Sequence, residues 1–89
     1  MKDLKNYLLN IGITESTPEA KHEPPTVFYY DRDSVLICFD YGMIAPPEVF
    51  KELRRQEDSA RDYITRHGYT FYSELYGDTR YITVQEATA

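Results

Sequence analysis

The chain has 89 residues, of which 42% are hydrophobic and 28% are charged, and its formal net charge at pH 7 is −5. Residues 1–89 therefore fit one small domain, and a second domain is excluded. Fifteen acidic residues against ten basic ones disfavour binding to a phosphate backbone, so direct binding to DNA or RNA is not expected. Nine tyrosines without a tryptophan are an unusual aromatic set, and some of them must be exposed.

Cysteine usage and the first residues of the chain predict a cytoplasmic protein. Cys38 is the single cysteine of the sequence, so it cannot form an internal disulfide. Residues 1–10 contain no continuous apolar run of the kind found in signal peptides. No stretch approaches the roughly 20 apolar residues that cross a bilayer, so we expect no association with a membrane.

The first predicted element is a short helix over residues 3–11. Leu4 and Leu8 recur at helical spacing, and Gly12 stands where a helix often ends in a left-handed residue. Residues 13–25 contain three prolines and almost no large apolar side chain, which is typical of a linker. We predict a mobile loop over residues 13–25.

Two runs of β-branched and aromatic residues, 26–30 and 34–39, predict a hairpin around the turn Asp31-Arg32-Asp33. Both faces of this hairpin are apolar, so we expect it to lie centrally in a sheet or to be covered on both sides. Pairing Tyr30 with Val35 places Phe28, Ile37 and Phe39 on one face and Val27, Tyr29, Leu36 and Cys38 on the other.

A long second helix is predicted to begin at Pro46-Pro47-Glu48 and to end before Gly68. Proline suits the first helical turn, an acidic residue suits the positive end of the helix dipole, and glycine suits the carboxyl end. One stripe of this helix is expected to face the core, and it comprises Val49, Leu53, Gln56, Ala60, Tyr63, Ile64 and His67.

The last segment, residues 69–84, predicts a second hairpin with Gly77-Asp78 as a two-residue turn. Its two faces differ in chemistry, since one is aliphatic and is expected to face the core, whereas the other is rich in tyrosine. The pairing places Phe71, Leu75, Ile82 and Val84 on one face and Tyr72, Glu74, Tyr76, Tyr81 and Thr83 on the other.

These elements predict an α+β fold in the order helix, hairpin, helix, hairpin. The two hairpins are expected to form a four-stranded antiparallel sheet with two helices on one face, which leaves the other face at least partly open. This segregated order argues against a doubly wound nucleotide-binding fold.

No pattern predicts a metal, a cofactor or a catalytic group. The carboxylates Asp31 and Asp33 fit a tight turn better than a calcium loop, because the glycine and glutamate of such a loop are missing. His22 and His67 lie far apart in the sequence and not at the spacing of metal ligands. Cys38 lies in an apolar run, where a cysteine usually acts as a small hydrophobic residue.

The sequence therefore predicts a non-enzymatic protein-interaction module that binds another protein, or a second copy of itself, through a tyrosine-rich sheet face. Small, acidic chains of this kind resemble, in class only, small inhibitors of the immunity or phage anti-defence type. Tyrosine combines a large ring with a polar tip and is enriched at protein interfaces. The predicted partner-binding residues are Tyr72, Glu74, Tyr76, Tyr81, Met43 and Ile44.

Alternatives remain open at this stage. A helix could cover the tyrosines, and Met43 and Ile44 could belong to the core rather than to an interface. The chain could instead be a small enzyme or ligand-binding domain, with a pocket between the sheet and the 13–25 loop. The residues named for these alternatives are Glu74, Tyr76 and His67 for the pocket, and Arg54, Arg55 and Arg61 for a nucleic-acid contact through the second helix.

Overall fold

The computed structural model describes residues 1–16, 25–42 and 45–86, which form an α+β fold with two helices and a five-stranded sheet. The strand order is β1-β2-β3-β5-β4, with β1 parallel to β2 and the other neighbours antiparallel. The elements are α1 (Lys2–Asn10), β1 (Thr14–Glu15), β2 (Thr26–Tyr30), β3 (Ser34–Asp40), α2 (Pro47–Arg66), β4 (Thr70–Tyr76) and β5 (Thr79–Gln85).

The predicted four-stranded antiparallel sheet is wrong in detail, because β1 adds a short parallel strand. Thr14 and Glu15 lie beside Val27 and Phe28, and the Ser16 N–H donates to the Phe28 carbonyl at 2.8 Å. The physical reason is Ile13, which is 1% exposed and belongs to the core, so it brings the next residues to the sheet edge. The mobility of the 13–25 loop stays a prediction, and its residues 17–24 lie outside the described ranges.

The helix α1 packs on the sheet through Leu4 and Leu8, both completely buried. Gly12 has a φ of 95°, a left-handed conformation that glycine adopts without strain. The Ile13 N–H then donates back to the Leu8 carbonyl at 2.9 Å, which directs the chain from the helix into β1. The predicted end of this helix at residue 11, just before Gly12, is confirmed within one residue.

The first hairpin has the predicted register, with Tyr30 opposite Val35, and β3 is the central strand between β2 and β5. Alternate residues of these strands face the helices and are excluded from water. The core on this side of the sheet contains Phe28, Val35, Ile37, Phe39, Ile82 and Val84, all at 0% exposure.

The helix α2 covers the same face as α1, and Gly68 follows it with a φ of 74°. The predicted stripe is correct at Leu53, Gln56, Ala60 and Ile64, which are buried, but His67 is exposed. Within the described residues, no helix has the combination of length and apolarity needed to cross a membrane.

The two helices do not extend fully over β4. Leu75, predicted to lie in the core, is 60% exposed, and Phe71 is only partly buried. The expectation for Leu75 was wrong because alternation shows which face a residue is on but not how far a helix reaches across that face. The edge strand β4 is therefore exposed on both sides of the sheet.

Candidate functional site: the open face of the sheet

The sheet face opposite the helices carries the predicted tyrosines, and we call this surface the open face. Gly77, with a φ of 59°, begins the two-residue turn between β4 and β5, and Tyr76 pairs with Thr79 across it. From that pair, strict alternation places Tyr72 and Tyr81 on the same side of the sheet. The predicted division of this hairpin into two faces is confirmed.

The tyrosine side chains of the open face are accessible. Tyr72 is 52% exposed and Tyr76 is 64% exposed, whereas Tyr81, one strand further in, is partly buried. The Tyr76 and Tyr81 rings meet edge to face, with their centroids 5.8 Å apart and their planes at 66°. This contact restricts both rings, so part of the surface is ordered before anything binds to it.

Glu74 is the one charged side chain between these rings, and it is exposed directly opposite Tyr81. Its carboxylate raises the pKa of Tyr76, first through a hydrogen bond with the hydroxyl and then through its negative charge. The Tyr76 hydroxyl therefore stays protonated at neutral pH and can serve as a hydrogen-bond donor. The Glu74 carboxylate and the Tyr76 hydroxyl thus form a polar pair beside the Tyr81 ring.

Two shallow depressions adjoin on the open face, with volumes of about 390 Å³ and 420 Å³, and both are lined by Leu36 and Tyr81. The first includes Tyr72, Glu74 and Tyr76. The second runs towards β2 and is lined by Pro25, Val27, Tyr29, Leu36, Cys38, Asp40, Thr79 and Tyr81.

Cys38 lies within the second depression and is partly exposed, which differs from the buried position that its apolar neighbours in the sequence suggested. It faces Val27 on one side and Tyr81 on the other. The apolar residues of this hairpin therefore contribute to an accessible surface as well as to the core.

The structure places one other residue named from the sequence, His67, away from the open face. Met43 and Ile44 lie outside the described residues, so their contribution to binding stays a prediction. His67 lies at the end of α2, on the other side of the sheet from Glu74 and Tyr76, and its Nδ1 is 3.0 Å from the Tyr63 carbonyl. His67, Glu74 and Tyr76 therefore do not line one pocket.

Arg55 and Arg61 of α2 are engaged by acidic groups, whereas Arg54 is exposed. Arg55 pairs with Glu52 and also donates to the Ile11 carbonyl at 3.2 Å, near the end of α1. Arg61 turns towards the sheet and donates to Glu57 at 3.0 Å. The separation of these two side chains disfavours the nucleic-acid alternative.

Sequence reasoning missed a charged cluster beneath α2, which we call the Glu57 cluster. Glu57 is 6% exposed and accepts hydrogen bonds from Tyr41 (2.8 Å), Arg61 (3.0 Å) and Arg80 (3.0 Å). Burial opposes its ionisation, but these donors and the arginine charges outweigh burial and hold the pKa of Glu57 below its usual 4.5.

A signal for this cluster was present in the sequence. Glu57 follows Leu53 by four residues and precedes Ala60 by three, so it falls within the buried stripe of α2. Arg80 likewise alternates in phase with Ile82 on the buried side of β5. Together these positions predict an internal ion pair, whereas the charge pattern along α2 alone suggested a solvated surface.

A separate pocket of about 350 Å³ lies where the first turns of α2 meet the start of β2, and we call it the Thr26 pocket. Thr26 is 4% exposed, and its hydroxyl has no hydrogen-bond partner among the residues that the structure describes. Gln56, 6% exposed, also lines this pocket and donates to the Ile11 carbonyl at 3.4 Å. The lining is mainly apolar, with Glu48 and Glu52 contributing to it.

The described residues contain no group of three or more metal-ligating side chains able to hold an ion. No protein-family model matches this chain, and no curated protein is significantly similar to it.

Proposed function

We propose that this chain is a non-enzymatic protein-interaction module that binds another protein through the open face. The observation that carries the proposal is the group of tyrosines around Glu74, displayed on the sheet face opposite both helices. Tyr72 and Tyr76, 52% and 64% exposed, display aromatic rings to water on one sheet face, and exposed apolar groups of this kind often mark an interaction site.

The backbone of the open face favours tight binding because it is held by regular strand pairing. The seven residue pairs between β4 and β5 fix the positions of the tyrosine Cα atoms, and each ring has only two rotatable side-chain angles. Ordering such side chains on association loses less entropy than ordering a flexible loop. Binding is therefore expected to need little change of shape.

The charge of the open face indicates the chemistry of the partner. Among the described strand residues on this face, Asp40 and Glu74 are the charged side chains, and neither lysine nor arginine contributes. A complementary surface would present apolar groups opposite Leu36 and Tyr81, with arginine or lysine near the two carboxylates. Arginine can also stack on tyrosine rings, which adds to such contacts.

The specific form that we propose is a small inhibitor of the immunity or phage anti-defence class, acting in the cytoplasm. The support is analogy of size, acidity and surface chemistry, because fold alone does not determine function. An inhibitor of this kind needs a rigid, accessible surface and a partner with a basic site.

The decisive experiment compares affinity capture by the wild-type protein and by a Tyr76→Ser, Tyr81→Ser variant. The matched control is Leu9→Ser, which alters a side chain 46% exposed on α1, away from the open face. A specific partner is expected to bind the wild type and the control and to bind the double variant at least about tenfold more weakly. A partner retained equally by all three proteins would contradict the use of the open face.

A second candidate function is binding of a small ligand in the Thr26 pocket, favoured by the unpartnered hydroxyl of Thr26. Buried hydroxyls normally have partners, and a ligand with one polar atom on an apolar body would supply one. A ligand that raises the melting temperature of the wild type but not of Thr26→Val would support this function. Equal shifts for both proteins would place the ligand elsewhere.

A further inference from the structure

Apart from the charge of Glu74, the edge strand β4 lacks the features that usually prevent a sheet edge from pairing with another chain. It is seven residues long, its pairing with β5 is continuous, and it contains neither lysine nor proline. No described residue pairs with its outer side. The opposite edge of the sheet differs, because β1 has only two residues, and a short strand is one common protection.

The turn before β5 determines which backbone groups of β4 face outward. Gly77 has a positive φ and Asp78 does not, as in a type II′ turn, whose closing residues Tyr76 and Thr79 form a hydrogen-bonded pair. Hydrogen-bonded and non-hydrogen-bonded pairs alternate along an antiparallel ladder. Phe71, Ser73 and Leu75 therefore direct their N–H and C=O groups away from β5.

We propose that a second copy of this chain pairs antiparallel with β4 about a twofold axis at Ser73, which creates a continuous ten-stranded sheet. Ser73 then lies opposite the partner's Ser73. Phe71 lies opposite the partner's Leu75, and Leu75 opposite the partner's Phe71. All three residue pairs use the outward backbone groups, as an antiparallel ladder requires.

This register also matches the side chains. Leu75, 60% exposed in one chain, meets the partner's Phe71 on the helix side of the sheet, where directly opposite side chains are close enough to pack. On the open face, Glu74 lies opposite the partner's Tyr72, whose hydroxyl can donate to the carboxylate. Each exposed group of the edge thus gains a complementary neighbour.

The neighbouring symmetric registers are less favourable. An axis at Glu74 places that carboxylate opposite the partner's Glu74, and like charges in direct opposition are destabilising. An axis at Tyr72 places Phe71 opposite the partner's Ser73 and so leaves the apolar Phe71 without an apolar neighbour. Of these three axes, only the one at Ser73 places Phe71 opposite the partner's Leu75 and keeps the two Glu74 carboxylates apart.

The dimer goes beyond the proposed function and does not depend on it. Pairing uses the backbone edge of β4, so the open face of each copy stays accessible, and the two open faces become one continuous surface. Binding of another protein is tested with the side chains of Tyr76 and Tyr81 on the open face, whereas the dimer is tested with the backbone N–H of Ser73 at the sheet edge. Failure of one proposal is therefore distinguishable from failure of the other.

The first test measures the mass of the protein by sedimentation over a range of concentrations. Ser73→Pro removes an outward N–H from each copy, and proline is tolerated on an edge strand when its nitrogen faces solvent. We expect the dimer dissociation constant to rise by roughly 10- to 100-fold, since symmetry removes two donors. Ser73→Ala, which keeps the donor, and Tyr81→Ser are both expected to remain dimeric.

The second test needs no disruptive substitution. In a Cys38→Ala background, Ser73→Cys places two thiols opposite each other, with Cα atoms about 5.5 Å apart, within the range of a disulfide. Mild oxidation is expected to link two chains. Thr70→Cys is the matched control, because its two copies lie six residues apart along the strands, roughly 20 Å, and should not link.

A wild-type protein that is monomeric at every concentration would overturn the proposal. A dimer that persists in Ser73→Pro but dissociates in Tyr81→Ser would also overturn it, since the open face would then be the self-association surface. Equal crosslinking of the Ser73→Cys and Thr70→Cys proteins would exclude the proposed register.

Discussion

Arg80 on β5 donates a hydrogen bond from Nη1 to Glu57 Oε2 on α2 at 3.0 Å, and this ion pair joins the helix layer to the sheet. Arg80 lies opposite Leu75 of β4 on the same side of the sheet. The Glu57 cluster therefore fixes the last hairpin against α2 at the point where helix coverage ends. The orientation of the exposed β4 edge and of the tyrosines behind it depends on this connection.

Replacing Glu57 by Gln is expected to lower the free energy of unfolding by about 1–2 kcal/mol. The change leaves the guanidinium groups of Arg61 and Arg80 without their shared carboxylate, but both are partly exposed, so the loss is smaller than for a fully buried pair. Urea denaturation of the variant and the wild type measures the loss in free energy of unfolding. The matched control is Glu52→Gln, which breaks an exposed pair with Arg55 and is expected to change stability much less than Glu57→Gln does.

Equal effects of Glu57→Gln and Glu52→Gln would contradict the role of the Glu57 cluster. A Glu57→Gln protein as stable as the wild type would also contradict the role of the Glu57 cluster. In that case the hairpin would be held against α2 by apolar packing alone.

The stabilisation by Glu57 should depend on pH in the acidic range. Burial raises its pKa, but hydrogen bonds from Tyr41 and Arg61 and the charge of Arg80 bring it below the unfolded value near 4.5. A folded pKa below the unfolded one means that stabilisation is complete above pH 4.5 and is lost as the pH falls through the folded pKa. The wild type should therefore lose stability faster than Glu57→Gln below pH 4.5.

Urea denaturation of both proteins at neutral pH and at successive pH values below 4.5 measures this difference. Subtracting the free energy of unfolding of Glu57→Gln from that of the wild type at each pH removes the effect of other carboxylates, such as Asp3, that titrate in both proteins. A stability difference that stays constant over the acidic range would show that Glu57 is not held ionised by its neighbours.

Much of the hairpin geometry could be predicted from the sequence because side-chain alternation and turn residues are local properties. The Tyr30–Val35 pairing and the Gly77-Asp78 turn follow from the sequence alone, and they determine which residues reach the open face. The positions of the tyrosines could be predicted for the same reason. Tyr72, Tyr76 and Tyr81 alternate in phase on two strands joined by a short turn.

The features that the sequence did not predict depend on distances between elements. The short strand β1 forms because Ile13 reaches the core, which no pattern within residues 13–25 indicates. Leu75 is exposed because α2 does not extend over β4, although its alternation is that of a core residue. The Thr26 pocket has the same origin, since it lies between β2 and α2, which are not consecutive in the sequence.

Replacing Thr26 by Val is expected to increase the free energy of unfolding by about 1 kcal/mol. The threonine hydroxyl is buried without a partner in the described part of the chain, and exchanging it for a methyl group of similar shape removes the cost of desolvating it. Thermal denaturation in the absence of added ligand measures the change. The control Thr70→Val alters an exposed threonine of β4 and is expected to have an effect within about 0.5 kcal/mol.

A destabilised Thr26→Val protein would contradict this reading of the pocket, because it would show that the hydroxyl has a partner in solution. Together with the ligand screen, the stability of Thr26→Val distinguishes a structural role of Thr26 from a role in ligand binding. Stabilisation by valine combined with loss of a ligand-induced shift would identify a polar group kept for binding.

Replacing Gly42 by Ala is expected to lower the free energy of unfolding by about 1–2 kcal/mol, because a Cβ at this position would lie 2.7 Å from the Cβ of Asp78. The Tyr41 N–H donates to the Asp78 carbonyl at 3.0 Å, so the two segments cannot separate without losing that hydrogen bond. The loss is reduced somewhat because alanine restricts the unfolded chain more than glycine does.

A double-mutant cycle with Asp78→Gly tests this contact directly. Removing the Asp78 side chain takes away the clash, so Gly42→Ala should lower stability by less than about 0.5 kcal/mol in that background. Urea denaturation of the four proteins gives the coupling energy between the two positions. Additive effects would show that the segment after β3 does not pack against the Gly77-Asp78 turn in solution, and that the hairpin carrying Tyr76 and Tyr81 is positioned by the Glu57 cluster without it.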